Sequence, residues 1–81
     1  MRRRVELYGR LRDAGLGASV SLDLPPRATA RQALAALKDA LGRRRAQAEG
    51  CAMASDTFIL ALNDVLPVKG RLAVLPPVCG G

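Results

Sequence analysis

Histidine and tryptophan are absent from this 81-residue sequence, and tyrosine and phenylalanine occur once each. Without histidine there is no ready general base near neutral pH and no imidazole metal ligand. So few aromatic rings leave no platform on which nucleic-acid bases could stack. The core must be built from Leu, Val, Ile and Ala. Two cysteines, Cys51 and Cys79, cannot complete a structural zinc site by themselves, since such sites take all their ligands from protein side chains. No metal site is expected. A disulfide between the two is formally open. No hydrophobic run approaches transmembrane length, so no membrane partner is expected. Arg2-Arg3-Arg4 leads into Val5-Glu6-Leu7 rather than into the apolar stretch of a secretory leader. The expected setting is therefore the cytoplasm, with reduced thiols.

Basic residues are plentiful. Thirteen Lys and Arg face seven Asp and Glu, for a net charge of +6. That balance favours acidic partners. The charge gathers at Arg2-Arg3-Arg4 and at Arg43-Arg44-Arg45. The simpler reading is solvated ends of secondary elements, the second cluster complementing a helix C-terminus. With base-stacking residues missing, nucleic acid is the weaker reading.

The length allows one small domain. Arg3 to Tyr8 alternates as a strand, with Val5 and Leu7 on one face and Arg4 and Glu6 on the other. Gly9 to Gly17 reads as a connecting turn. Ala18 to Leu24 alternates again, with Val20, Leu22 and Leu24 facing one way. The two runs suggest an antiparallel hairpin, stopped by Pro25-Pro26. Thr29 and Gln32 have the spacing of a capping box. Leu34, Leu37 and Leu41, with Ala30 and Ala33 beside them, predict a helix with one apolar face. Gly42 suits its C-cap. Residues 43–56 are weakly patterned and could hold a further short helical turn ending near Gly50. Thr57 to Leu62 is a continuous apolar run, consistent with a strand buried on both faces. Arg71 to Leu75 is the last strand, expected to carry the chain to the sheet edge, and Pro76-Pro77 ends it. The order strand, strand, helix, strand, strand predicts an α+β domain with a mixed sheet packed on one main helix. That domain is expected over residues 1–77, with residues 78–81 a flexible tail.

No self-contained active site is visible. There is no nucleophile–base pairing and no phosphate-cradling glycine loop. The seven carboxylates are scattered and read as surface charge. The remaining reactive group is the terminus. A free α-carboxylate is ionised at neutral pH. Held against ATP in another protein's narrow pocket, it can attack the α-phosphate and form an acyl-adenylate. Glycines suit such a pocket because they lack side chains and accept unusual backbone angles. From Pro77 to Gly81 the extended reach is roughly 13–14 Å. A frayed end that happens to contain glycine is the bland alternative.

The residues around that end narrow the reading. Leu75-Pro76-Pro77-Val78-Cys79-Gly80-Gly81 closely resembles the ending of the MoaD/ThiS-like sulfur carriers, and in particular the MoaD-like small subunit of molybdopterin synthase. Leu7-Tyr8-Gly9-Arg10-Leu11-Arg12-Asp13 resembles the end of that family's first strand, an aromatic and a small residue followed by an apolar-Arg-acidic step. The Thr29–Leu41 segment sits where the family has its main helix. Ala61-Leu62-Asn63 resembles its strand that runs into an Asn. The resemblance implies a ubiquitin-like β-grasp fold. It also implies a mechanism. A MoeB-like, E1-like enzyme uses ATP to adenylate Gly81. A sulfurtransferase converts the adenylate to a thiocarboxylate. A MoaE-like large subunit receives the tail, and the sulfur passes to cyclic pyranopterin monophosphate. On this resemblance Gly81 carries the sulfur and Gly80 permits threading. Pro76, Pro77, Val78 and Cys79 guide or contact the partner, and Leu11, Arg12 and the last strand are candidates for docking. No cofactor would be bound by the chain itself.

The sequence departs from the family twice. The stretch from Asp64 to Gly70 is shorter than the family's, which leaves open whether the short strand expected there is present. The chain is basic where many such carriers are acidic. Cys79 reads either as a thiol that exchanges with the activated terminus or as a small residue at a variable position. Cys51 reads as a buried or incidental thiol. Three other functions remain open: a sulfur carrier for thiazole, cysteine or tRNA thiolation; a ubiquitin-like modifier joined to lysines through Gly81; and a small basic RNA-binding module.

Overall fold

The computed structural model describes residues 1–77. The expected tail, Val78, Cys79, Gly80 and Gly81, lies outside the described residues. Four strands and one α-helix make up the domain. They are β1 (Arg2–Leu7), β2 (Ser19–Asp23), α1 (Ala30–Leu41), β3 (Ala52–Ala54) and β4 (Leu72–Leu75). Short 3₁₀ helices follow β1 at Gly9–Asp13 and follow α1 at Gly42–Ala48. The sheet order is β2-β1-β4-β3. β1 runs antiparallel to β2 and parallel to β4, and β3 runs antiparallel to β4. This mixed sheet packed on one helix is the ubiquitin-like β-grasp arrangement.

Alternation in β1 works as the side-chain period of a strand requires. Val5 and Leu7 are fully buried, while Arg2 and Arg4 are exposed on the opposite face. Leu22 and Leu24 bury beside them from the second arm of the hairpin. Thr29 caps α1 reciprocally with Gln32. The Gln32 N–H donates to Thr29 Oγ1 at 3.3 Å, and the Thr29 N–H donates to Gln32 Oε1 at 2.9 Å. The helix buries Ala30, Ala33, Leu34, Leu37 and Leu41 against Val5, Leu7, Leu72 and Val74 of the sheet. Each leucine so buried is worth roughly 1.5–3 kcal/mol. Gly42 is the C-cap, and its N–H donates to the Lys38 carbonyl. The weakly patterned segment after it forms the 3₁₀ helix that ends at Ala48.

Two expectations about strands are corrected. The third strand is Ala52–Ala54 and not the apolar run from Thr57 to Leu62. The Ser55 hydroxyl accepts the Phe58 N–H at 3.1 Å and reverses the chain. Residues 58–60 then fold back on β3, with Leu60 N–H donating to the Met53 carbonyl at 2.8 Å. Beyond them the backbone is committed elsewhere. The carbonyls of Leu62 and Asp64 accept the Arg31 and Ala30 N–H groups, each at 2.9 Å. These donors belong to the first helical turn, which has no partners within the helix. Phe58 and Ile59 are consequently 71% and 70% exposed. Between Asp64 and Gly70 the described residues form no strand, only an isolated bridge from Val65 to Thr29. The second correction concerns β4. It lies inside the sheet, between β1 and β3, because both neighbours use its two backbone edges.

Candidate functional site

The chain leaves the sheet from its interior strand, so Pro76 and Pro77 emerge between the loops attached to both neighbouring strands. Gly9 follows β1 on one side, and Gly50 precedes β3 on the other. Neither proline can donate a ladder hydrogen bond, and among the described residues no backbone N–H donates to either carbonyl. Their placement therefore rests on packing. Gly9 has φ of 61°, and a Cβ there would fall 2.8 Å from Pro76 Cγ. Gly50 has φ of 73°, and a Cβ there would fall 3.4 Å from Pro77 Cβ. Both positions are in the left-handed region that glycine tolerates best.

The two loops are tied to each other. Arg10 Nε donates to the Gln47 carbonyl and Arg10 Nη2 to the Glu49 carbonyl, each at 3.4 Å. Arg44 Nη1 donates to the Asp13 carbonyl at 3.2 Å. Leu11 is completely buried. It cannot contact a partner as expected of a docking residue; it anchors the Gly9–Asp13 turn to the core instead. Arg12 is exposed, and its Cζ lies 5.9 Å from the centroid of the Tyr8 ring, within cation–π range.

Tyr8 hydroxyl donates to Glu6 Oε1 at 2.6 Å. That hydrogen bond, and next the negative charge of Glu6, push the phenol above its ordinary value. Glu6 Oε2 also lies 3.8 Å from Arg71 Nε. Cys51, just beyond Gly50, is buried. Desolvation pushes its thiol up, against smaller opposing effects of Arg10 and Lys38. A thiol in that state is a poor nucleophile at neutral pH, in keeping with an incidental role.

The sequence singled out Pro76 and Pro77 at this end of the sheet, and the structure brings them together with Gly9 and Gly50, which sequence reasoning missed. In the sequence Gly9 reads as the start of a turn and as the small residue of the Leu7–Asp13 resemblance, and nothing local connects it to Pro76. Of the residues expected to carry or guide the chemistry, Val78, Cys79, Gly80 and Gly81 lie outside the described residues. Among the described residues, no three Cys, Asp or Glu side chains gather as a metal site, and no helix is long and apolar enough to cross a membrane. An open depression of about 530 Å³, lined by Ser55, Asp56, Phe58, Asp64 and Lys69 among others, includes neither Pro76 nor Pro77.

No protein-family model matches the sequence, and no curated protein matches it at a significant level. Solved structures do match. SAMP1 from Haloferax volcanii is 22% identical with a TM-score of 0.75, and the match covers 100% of both chains. A second structure of H. volcanii small archaeal modifier protein 1 is 21% identical with a TM-score of 0.74, covering 95% of this chain and 98% of that one. A candidate molybdopterin converting factor, subunit 1, from Pyrococcus furiosus is 17% identical with a TM-score of 0.65, covering 96% and 99%. At these identities the likeness establishes the fold.

Proposed function

We propose that this chain is a sulfur carrier that acts as the small subunit of molybdopterin synthase. The Gly81 carboxylate attacks the α-phosphate of ATP in an E1-like enzyme and releases pyrophosphate. A sulfur nucleophile supplied through a sulfurtransferase then displaces AMP, and the carbonyl carbon exchanges an oxygen for sulfur. A MoaE-like large subunit receives the thiocarboxylate end, and the sulfur is passed to cyclic pyranopterin monophosphate. The chain itself holds no cofactor in this scheme; ATP belongs to the activating enzyme.

The observation that carries this reading is the exit of the Leu75-Pro76-Pro77 segment from an interior strand, seated on glycines at both sides. A rigid domain would thereby present residues 78–81, with a reach of roughly 13–14 Å, as a thin probe. The likeness to a candidate molybdopterin converting factor subunit agrees with it. The match to SAMP1 favours a second reading, a ubiquitin-like modifier that forms an isopeptide bond through Gly81.

Intact-protein mass spectrometry tests the proposal. The chain and a variant lacking Gly81 are incubated with a MoeB-type enzyme, ATP and a sulfur source. Exchange of one oxygen for sulfur, confined to the chain that keeps Gly81, is the expected result. Failure to form either adenylate or thiocarboxylate with several activating enzymes would overturn it. Lysine-linked conjugates without a thiocarboxylate product would select the modifier reading.

A further inference from the structure

We propose that Gly9 and Gly50 are positioning residues that form a two-sided seat, fixing where the C-terminal segment leaves the sheet and in which direction it is presented. The seat is a property of the fold. Its consequence for activation rests on the function proposed above.

The need for a seat comes from the prolines. In a sheet, direction is normally transmitted by ladder hydrogen bonds. After β4 the next two residues have no N–H to offer, and among the described residues no backbone N–H reaches either proline carbonyl. Contact with neighbouring surface is what holds them. Gly9 supplies that surface on the β1 side, and Gly50 supplies it on the β3 side.

Other glycines of the chain show what is special about these two. Gly15 and Gly17 also have positive φ, at 101° and 85°, yet a Cβ at either would meet nothing within 4 Å. Their turn alone explains them. At Gly9 a Cβ would meet three atoms of Pro76, at 2.8, 3.4 and 3.6 Å. A ring carbon at 2.8 Å has to move, and the proline ring has little freedom to do so without carrying the backbone with it. At Gly50 the approach to Pro77, 3.4 and 3.6 Å, is ordinary contact. Gly9 is therefore the tight wall and Gly50 the supporting one. The Arg10 hydrogen bonds to the carbonyls of Gln47 and Glu49 keep the two walls at a fixed separation.

The test compares four single variants, Gly9→Ala, Gly50→Ala, Gly15→Ala and Gly17→Ala, in the full chain. All four pay the backbone strain of a side chain at positive φ. Amide ¹H–¹⁵N spectra report the segment's placement, and a pyrophosphate-release assay with the activating enzyme reports its use. Gly9→Ala is expected to shift the amide resonances of Leu75 and Val78, Gly50→Ala to shift them less, and the other two to leave them in place. At matched temperature below unfolding, Gly9→Ala should lower kcat/KM by about tenfold or more, as expected when a reacting group is misplaced by an ångström or so.

Pro76→Ala approaches the same contact from the tail side and avoids strain at Gly9. It should also shift those resonances. Adding Gly9→Ala to it should change them much less than Gly9→Ala changes the unaltered chain, because the ring carbon at the closest approach is gone. The seat is overturned if Gly9→Ala and Gly15→Ala have the same spectral effect on Leu75 and Val78. It is equally overturned if Pro76→Ala leaves those resonances unmoved. The spectra decide this even if no form of the chain is adenylated, an outcome that would sink the proposed function alone.

Discussion

The Tyr8 hydroxyl donates to Glu6 Oε1 at 2.6 Å, two residues back along the same chain. Tyr8 is the only tyrosine, and tryptophan is absent, so absorbance at the phenolate band reads this one group. The hydrogen bond to the carboxylate, followed by its charge, holds the phenol proton on, while Arg71 and Arg12 oppose weakly. The folded chain should therefore titrate above the ordinary tyrosine value. Glu6→Ala removes both the acceptor and the charge and should bring the transition down. An unchanged spectrophotometric titration in Glu6→Ala would show that the contact does not persist in solution.

The helix start should be sensitive to one side chain. Thr29→Ala removes the hydroxyl that accepts the Gln32 N–H and leaves a first-turn donor without its partner. The expected cost is about 0.5–2 kcal/mol, which for a domain of this size corresponds to a drop in Tm of roughly 4–8 °C per kcal/mol. Gln32→Ala removes the reciprocal bond to the Thr29 N–H and should cost less, because that amide can turn to water. Equal Tm values for Thr29→Ala and the parent chain would rule the cap out as a stabilising feature.

This helix was legible because its determinants are local. Thr29 and Gln32 are three residues apart, and Leu34, Leu37 and Leu41 repeat at the period of the helix itself. The hairpin was legible for a similar reason, with Val5 and Leu7 alternating against charged neighbours. The fold class followed from the order of these elements. What could not be read is set by distant partners. The backbone of Leu62 and Asp64 is claimed by the start of α1, so an apolar run that looks like a buried strand is reduced to a single bridge between Ile59 and Ala54. The interior place of β4 depends on pairing with β1, the first strand of the chain. At the candidate site the ending Leu75-Pro76-Pro77 was visible as a pattern, but its wall at Gly9 is brought up by that same long-range pairing.

Cys51 gives a pH prediction with a definite sign. Burial pushes its thiol up, so the folded chain holds this proton more tightly than the unfolded chain does. Stability from that difference is fully present below the ordinary thiol value and is lost as pH rises through the folded one. Stability to urea should therefore fall progressively above about pH 8.5. In a Cys79→Ala background, adding Cys51→Ala should flatten that slope while leaving the part due to Tyr8. Parallel pH slopes with and without Cys51 would refute the assignment.

The segment from Phe58 to Leu60 offers the sharpest contrast between pattern and structure. A strand buried on both faces would make Phe58 and Ile59 core residues, and truncating a buried phenylalanine typically costs about 3–5 kcal/mol. In the folded chain these two side chains are 71% and 70% exposed, and the backbone beside them is held by Ser55 and Met53 rather than by their own burial. Phe58→Ser and Ile59→Ser should each change stability by no more than about 0.5 kcal/mol, the usual range for surface positions. Leu37→Ala, at a position with no exposure, should cost about 2–5 kcal/mol. Urea midpoints at constant m-value separate the two cases. A loss for Phe58→Ser as large as that for Leu37→Ala would restore the buried strand and require a different edge for this sheet. A near-zero loss leaves Phe58 and Ile59 free of any structural duty in the domain, because the turn that carries them is fixed by the Ser55 hydroxyl and by backbone hydrogen bonds.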